Sequence, residues 1–238
     1  GDQVIQNKML AGSFESAQKK VEGNNFDIRK QLLQYDDVMN NQREIIYGKR
    51  NEILDSDSIH EQTLNLFRNH VTDIVNDHLI ETNKLSDHDY EEILEATNEN
   101  LLRTNRIALS EIKGKSSDDV IDLISDLVIK EYEEKLEDIP EEIRDEFEKA
   151  ITLKVIDSHW MEHISTMSQL REGIGLRGYA NENPLQAYTM EGYELFDQML
   201  TQINKEVSIY LMKAEIRQNL ERKEVVKKTI TNDGKETK

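Results

Sequence analysis

The scarcity of proline limits what this chain can fold into more than any other feature. The 238 residues contain two prolines, Pro140 and Pro184, so none lies in the first 139 residues. Proline interrupts helices and is common in the turns of sheet proteins, and glycine, the other turn-forming residue, occurs only ten times. We therefore predict an all-α fold built from long, uninterrupted helices.

The first long helix is predicted between about residues 14 and 54. Its apolar residues recur at steps of three, four or seven, which is typical of one helix face: Phe14, Ala17, Val21, Ile28, Leu32, Tyr35, Met39, Ile46 and Ile53. Such a helix would be roughly 60 Å long at about 1.5 Å per residue. Gly23 costs about 1 kcal/mol relative to alanine inside a helix, so a break there remains an alternative.

The middle of the chain is strongly acidic. Residues 55–138 carry 22 acidic and 8 basic residues, so this segment holds −14 of the net charge of −18. Ser86 with Asp89, and Ser116 with Asp119, have the spacing of helix caps. We predict a small acidic helical unit here, inserted between longer helices. Nucleic acid is excluded as a partner, because binding its phosphates relies on clustered lysine and arginine.

Two further long helices are predicted, and Pro140 is expected to be the first residue of the earlier one. The first has the seam Leu153, Ile156, Trp160, Ile164, Met167 and Leu170, and glycines from Gly173 onward end it. Asn183 and Pro184 are typical of a helix start, and the seam that follows is Phe196, Met199, Ile203, Val207, Tyr210 and Ala214. A short glycine-rich connection between two long helices predicts an antiparallel hairpin.

These segments suggest four parts. We predict a long helix over 1–54, the small acidic helical unit over 55–138, and the two-helix hairpin over 139–221. Residues 222–238 are polar and lysine-rich without an apolar period, so we expect a disordered tail.

The glycines of the connection match a nucleotide-binding pattern. Gly173, Gly175 and Gly178 spell GxGxxG, but in dinucleotide-binding proteins that loop follows a strand of a βαβ unit. Here a predicted helix precedes it. We interpret these glycines as a helix stop and a turn.

The residues His159, Glu162 and His163 spell HxxEH, the order of an inverted zinc-peptidase motif. Zinc needs a third ligand, which Glu191 or Glu194 on the partner helix could supply. The same stretch carries the packing seam of its helix, and so short a pattern of common residues arises by chance. We reject this metal site and keep a zinc peptidase only as a minor alternative.

Other polar features suggest no chemistry. The four histidines of the acidic segment, His60, His70, His78 and His88, are interpreted as scattered and solvated rather than as a pH sensor. The chain lacks cysteine, which excludes disulfides and thiol chemistry among these residues and suits a reducing compartment. No stretch approaches 18 apolar residues, so we expect a soluble chain that does not span a membrane.

Two long stretches resemble SecA, the motor ATPase of bacterial preprotein translocation. They are AQKKVEGNNFDIRKQLLQYDDVMNNQREIIY at 17–47 and SHWMEHISTMSQLREGIGLRGYANENPLQAY at 158–188. The acidic segment between them lies where that family has its variable helical wing. The resemblance implies an elongated long-helix scaffold with its first part at 1–54, and an inserted small helical wing at 55–138. It also implies an antiparallel two-helix finger at 139–221, together with the remainder of the scaffold.

The resemblance also implies which residues contact polypeptide. The family's finger tip enters the cytoplasmic mouth of the SecY channel, and Tyr179 matches its tip tyrosine, flanked by Leu176, Arg177, Gly178 and Ala180. The family's scaffold helix packs across two nucleotide-binding motor domains and couples them to the rest of the protein.

The finger is also held to restrain ATP hydrolysis in that family until channel and preprotein are engaged. Trp160, Arg171 and Arg177 are therefore expected to make ATPase-regulatory contacts. Gly175 stands where histidine is expected and Glu172 where glutamine is expected, which predicts a more flexible and more acidic tip.

We expect no catalysis and no cofactor in this chain, because it lacks the P-loop and helicase-type motifs of the motor. ATP and Mg would bind in motor domains of the same full-length chain. The implied partners are those domains, the SecY channel complex, and preprotein with its signal peptide, with a homodimer of the parent left open. The implied location is the cytoplasm and, peripherally, the cytoplasmic face of the bacterial cell membrane. The alternative is a structural helical adaptor that binds partner helices through its seams.

Overall fold

The computed structural model describes residues 8–79, 85–103, 107–175 and 183–216. Within these ranges the chain is helical and contains no strand, so the all-α prediction is confirmed. The helices are α1 (Lys8–Asp55), α2 (His60–Asp77), α3 (Asp87–Asn100), α4 (Leu109–Ile112), α5 (Ser117–Leu136), α6 (Glu141–Ile174) and α7 (Pro184–Lys213). None of these helices combines the length and apolar composition needed to cross a bilayer.

The long predicted helix is α1, a single helix of 48 residues. At about 1.5 Å per residue it is about 72 Å long. It continues through Gly23, so the alternative of a break there is wrong. A single glycine costs only about 1 kcal/mol, which the hydrogen bonds of a long helix on both sides can absorb.

Only the second half of α1 packs against the rest of the chain. Every residue from 12 to 34 is exposed, and burial begins at Tyr35. The predicted seam is therefore real as a helix face, but its first half is in water. Six large apolar side chains of this half are at least 50% exposed: Phe14, Val21, Phe26, Ile28, Leu32 and Leu33.

Helices α2 to α5 lie in the segment predicted as the wing, and two of them, α3 and α5, begin at the predicted caps. Ser86 and Asp89 form a reciprocal capping box at α3, and Ser116 Oγ accepts from the Asp119 amide at α5. Gly114 precedes α5 with a φ of +80°, a left-handed conformation that favours glycine.

Helices α6 and α7 form the predicted antiparallel hairpin. His159 faces Glu206, His163 faces Phe196, and a side chain at position 192 would meet Met167, so positions on α7 decrease as those on α6 increase. Asn183 caps α7 and Pro184 is its first residue, as predicted.

Two details of the hairpin differ from prediction. Pro140 is the residue before α6 rather than its first residue; its missing N–H suits either position. Tyr210 is 49% exposed, and the seam of α7 continues from Val207 to Leu211 instead. A four-residue step keeps the same helix face as well as a three-residue step does, so spacing alone did not distinguish them.

The wing shares one hydrophobic core with α1 and the hairpin. Helix α2 contacts both α5 and α7, and one buried cluster includes Ile46 of α1, Phe67 of α2, Tyr132 of α5 and Val207 of α7. The wing is therefore packed against the hairpin and does not hang from α1 alone. The domain boundaries at 54, 138 and 221 remain predictions, and residues 217–238 lie outside the described ranges.

Candidate functional site: the junction of α1 with the hairpin

An aromatic and aliphatic cluster joins α1 to the hairpin beside the predicted tip. Met167 and Ile174 of α6 and Tyr188 of α7 are buried together, and Tyr35 of α1 packs against them. The rings of Tyr35 and Tyr188 meet edge to face, with centroids 4.9 Å apart and an interplanar angle of 75°. This is a favoured geometry for aromatic pairs. The cluster fixes the tip end of the hairpin to α1.

The three helices approach one another closely at Gly192 of α7. A Cβ atom at this position would lie 2.6 Å from Met167 Cε on α6 and 3.8 Å from Val38 Cγ1 on α1. Contacts below 3.0 Å require a neighbour to move. Met167 Cε is the end of a flexible side chain, so a larger residue at position 192 would displace it. Glycine avoids this contact, and its backbone angle here is not unusual.

One glutamine side chain bridges all three helices. Gln42 of α1 is 6% exposed. Its Nε2 donates to the Gly192 carbonyl at 2.9 Å, and its Oε1 lies 2.8 Å from His163 Nε2. An amide oxygen can only accept, so the hydrogen of the second bond is on His163 Nε2.

His163 lies in an aromatic stack inside the hairpin. Its ring is 5.7 Å from that of Trp160 and 5.6 Å from that of Phe196, centroid to centroid. Burial lowers the pKa of His163, because it disfavours the charged imidazolium. The ring is thus neutral at neutral pH. Trp160, one of the predicted regulatory residues, is itself 5% exposed and packs beside the bridge.

Arg171, a second predicted regulatory residue, lies at the surface of the same junction. Its Nη1 is 3.5 Å from Asp36 Oδ1 on α1, and the two side chains are 49% and 57% exposed. A pair this exposed contributes little to stability. It nevertheless gives α6 a further polar contact with α1, close to the end of α6.

The HxxEH residues have partners on other helices. His159 Nε2 is 3.0 Å from Glu206 Oε2, while His163 is bonded to Gln42. The Gln202 amide, and after it the His159 imidazole, hold the pKa of Glu206 below its usual value. A zinc ion between the two histidines would have to break both contacts.

The histidines of the wing have different environments. In the described residues one group of three ligating side chains, His78, Asp89 and Glu92, has ligand atoms within 4.8 Å of one another. His78 and His88 both pair with Glu92. His70, however, is 4% exposed and donates to Ser208 Oγ of α7, so the interpretation of solvated histidines is wrong there. His70 is buried where α2 packs against α7.

Further polar contacts attach the wing to the hairpin. Glu148 of α6 is fully buried, and its Oε1 contacts both His60 Nδ1 of α2 and the Tyr132 hydroxyl of α5. Lys135 Nζ of α5 donates to the carbonyls of Leu211 and Met212 at the end of α7. Burial lowers the pKa of Lys135 to about 8. The lysine thus caps carbonyls that a helix end leaves without partners.

Comparison with known proteins decides the family. The family model described as "SecA Wing and Scaffold domain" matches residues 4–215. The chain belongs to this SecA family. Protein translocase subunit SecA of Clostridium novyi (strain NT) is 39% identical over 231 residues, which cover 97% of this chain and 28% of that protein. The resemblance to SecA is confirmed, and the chain spans about a quarter of the length of this curated relative.

The predicted SecA finger-tip residues, Leu176, Arg177, Gly178, Tyr179 and Ala180, lie outside the described residues. Their roles remain predictions, as do the regulatory roles of Trp160 and Arg171. What the structure adds is the position of the helix ends that flank the predicted tip residues, because α6 ends at Ile174 and α7 begins at Pro184, both close to the junction with α1.

Sequence reasoning missed Gln42, Gly192 and Glu148. The sequence did contain an indication for Gln42. The apolar seam of α1 steps by seven residues from Met39 to Ile46, and the position that it passes over on the same helix face is this glutamine. A polar residue on an apolar seam indicates a buried hydrogen bond. The sequence contained no such indication for Glu148, because this residue lies in an acidic stretch with other glutamates that are exposed.

Proposed function

We propose that this chain is the scaffold, wing and finger section of a SecA-type protein translocation motor. In this proposal it couples the nucleotide state of motor domains elsewhere in the parent chain to the movement of preprotein through the SecY channel. It also restrains ATP hydrolysis until channel and preprotein are engaged. ATP and Mg bind in the motor domains, and the residues of this chain transmit force and contact polypeptide. Family membership supports the translocation role.

The exposed half of α1 is the observation that carries the coupling proposal. Residues 12–34 are all exposed, and six large apolar side chains occur among them. Most helices in proteins are stabilised by packing an apolar face, and contiguous exposed apolar surface is typical of an interaction site. This half of α1 is suited to pack against the motor domains of the parent.

The junction supplies the other half of the coupling. The Tyr35–Tyr188 contact and the Gln42 bridge hold α1 to the hairpin near its tip. Interiors packed in this way transmit displacement, because they have low compressibility. A shift of α1 imposed by the motor domains would therefore move the hairpin and the tip with it. The parent acts in the cytoplasm and at the cytoplasmic face of the cell membrane, where SecY and the signal peptide of the preprotein are its partners.

Substitution of the tip tyrosine tests this proposal. In the full-length parent, Tyr179→Ala should impair preprotein translocation while leaving folding and basal ATP hydrolysis unchanged, because the tip contacts polypeptide and not nucleotide. Tyr179→Phe is the matched control, since it keeps the ring and removes only the hydroxyl. Normal translocation by Tyr179→Ala would contradict the proposed tip role.

A further inference from the structure

We infer that Gln42 is a positioning residue that sets the register of the hairpin on α1. Its side-chain amide makes one hydrogen bond to each hairpin helix, to His163 of α6 and to Gly192 of α7. The inference deepens the proposed function, on which its consequence for translocation rests. The geometry itself is independent of that function.

A contact that depends on direction is needed to hold α1 and the hairpin in one register. Apolar side chains are attracted without regard to direction, so a helix on an apolar surface has several similar placements. A hydrogen bond is limited in distance and angle. If α1 slid or rotated by one residue, Gln42 would leave both partners, and the buried His163 N–H would have none. An unmade bond of this kind is costly, which penalises every shifted register.

The other polar side-chain contacts that the structure describes between α1 and the hairpin are more exposed. Arg50 of α1 pairs with Asp157 of α6 at 2.7 Å, and these side chains are 27% and 52% exposed. Among the described residues, Gln42 is the only buried polar side chain on α1. The Arg171–Asp36 pair is half exposed and 3.5 Å long, and such pairs tolerate movement. The Tyr35–Tyr188 contact joins two aromatic rings edge to face, and such pairs accept a wider range of distances than a hydrogen bond does. The Gln42 amide is therefore the buried directional contact between α1 and the hairpin, and leaving its partners unpaired costs more than loosening an exposed pair.

The bridge also determines the tautomer of His163. Since Gln42 Oε1 accepts, the hydrogen is on Nε2, and since burial lowers the pKa of His163, the ring is neutral. Nitrogen NMR of the 238-residue chain distinguishes the two neutral tautomers. We expect the Nε2–H form for His163, and its loss in Gln42→Leu. The Nδ1–H form in the wild type would contradict the bridge.

The register can be measured in the 238-residue chain by electron-spin distance spectroscopy. The chain has no cysteine, so Asn51→Cys on α1 and Glu172→Cys on α6, both at exposed positions, carry the two spin labels without interference. The wild type should give a narrow distance distribution. Gln42→Leu should broaden or split it, because removing the penalty on shifted registers raises their population about ten-fold or more. Gln18→Leu, an exposed glutamine on the same helix, is the matched control and should change nothing.

Two further variants separate positioning from stability. Gln42→Leu with His163→Leu replaces both partners by apolar groups, which can leave stability nearly unchanged, yet the distribution should stay broad. His163→Gln keeps an N–H donor at a similar distance from the backbone, so the distance distribution should stay narrow. A narrow distribution in the double leucine variant, or equal broadening in His163→Gln and His163→Leu, would overturn the inference.

The consequence for translocation is tested in the full-length parent. The double leucine variant should move fewer residues of preprotein for each ATP hydrolysed, because α1 shifts without carrying the hairpin with it. If the wild-type parent did not translocate at all, the proposed function would fail while the distance result stood. If the distances broadened but the ratio of transport to hydrolysis did not fall, Gln42 would set a register that coupling does not use, which contradicts the inferred role in coupling.

Discussion

Replacing Glu148 by alanine should loosen the wing from the hairpin. Its carboxylate is fully buried, and one oxygen, Oε1, lies 2.8 Å from His60 Nδ1 and accepts from the Tyr132 hydroxyl at 3.0 Å. His60 begins the first helix of the wing, and Tyr132 lies in the last. A single side chain of α6 therefore holds both ends of the wing.

The size of the effect follows from what the substitution leaves behind. The Tyr132 side chain is fully buried, and an unpartnered buried hydroxyl costs about 1–3 kcal/mol. Loss of the His60 contact and the space left by the side chain add to this. Part is recovered, because the other carboxylate oxygen of Glu148 is buried without a partner and is removed too. We expect a loss of about 2–4 kcal/mol in the free energy of unfolding.

Urea unfolding of the 238-residue chain measures this loss with two probes. Trp160 is the only tryptophan and reports on the hairpin by fluorescence, while far-ultraviolet circular dichroism reports on every helix. In Glu148→Ala the dichroism transition should begin before the fluorescence transition, because the wing is released first.

Two variants bracket the result. Glu148→Gln keeps an acceptor for Tyr132 and should lose less than alanine does. Glu146→Ala, at an exposed position on the same helix, should stay within about 0.5 kcal/mol of the wild type. If Glu148→Ala were equally close to the wild type, with coincident transitions, the carboxylate would not attach the wing and the reasoning would be refuted.

The remaining predictions concern acid stability and regulation. Burial lowers the pKa of His70 from 6.5 to about 4, so the unfolded chain binds the proton more readily and stability falls as the pH drops through that range, by about 3 kcal/mol. Urea unfolding at pH 7 and at pH 4 measures this loss. The free energy of unfolding should fall less between the two pH values in His70→Gln than in the wild type, and an equal fall would exclude His70 as the cause. Arg171→Ala in the full-length parent should cost under about 1 kcal/mol of stability, since its pair is exposed, yet raise basal ATP hydrolysis by up to about five-fold. Trp160→Ala should raise basal ATP hydrolysis as well, and should lower the free energy of unfolding by about 3–5 kcal/mol. An unchanged hydrolysis rate removes the substituted residue from the regulatory set.

Helix positions followed from local features of the sequence. The absence of proline before Pro140 and the apolar period predicted α1 nearly to its end, and Asn183 with Pro184 predicted the start of α7 at the right residue. These signals act over one or two helical turns, so sequence alone contains them. The family followed from two stretches long enough to be specific.

Burial was harder to predict, because it depends on residues far away in sequence. Phe14 and Val21 lie on one helix face, yet both are exposed. The spacing of apolar residues shows which residues share a face, but it does not show what packs against that face. Gln42 and His163 are 121 residues apart, and Gln42 and Gly192 are 150 apart. Neither bond can be derived from spacing. The same holds for Glu148, whose burial results from α2 and α5 closing over α6.

Cross-linking from the finger tip in the full-length parent tests the central claim most directly. A photoreactive amino acid at position 179 is activated while the motor, with ATP, moves a labelled preprotein through SecY-containing membranes. If the hairpin carries the motor's movement to polypeptide, position 179 should form adducts with the preprotein and with the channel during transport, and few when ATP is withheld. Adducts with neither during active transport would contradict the account.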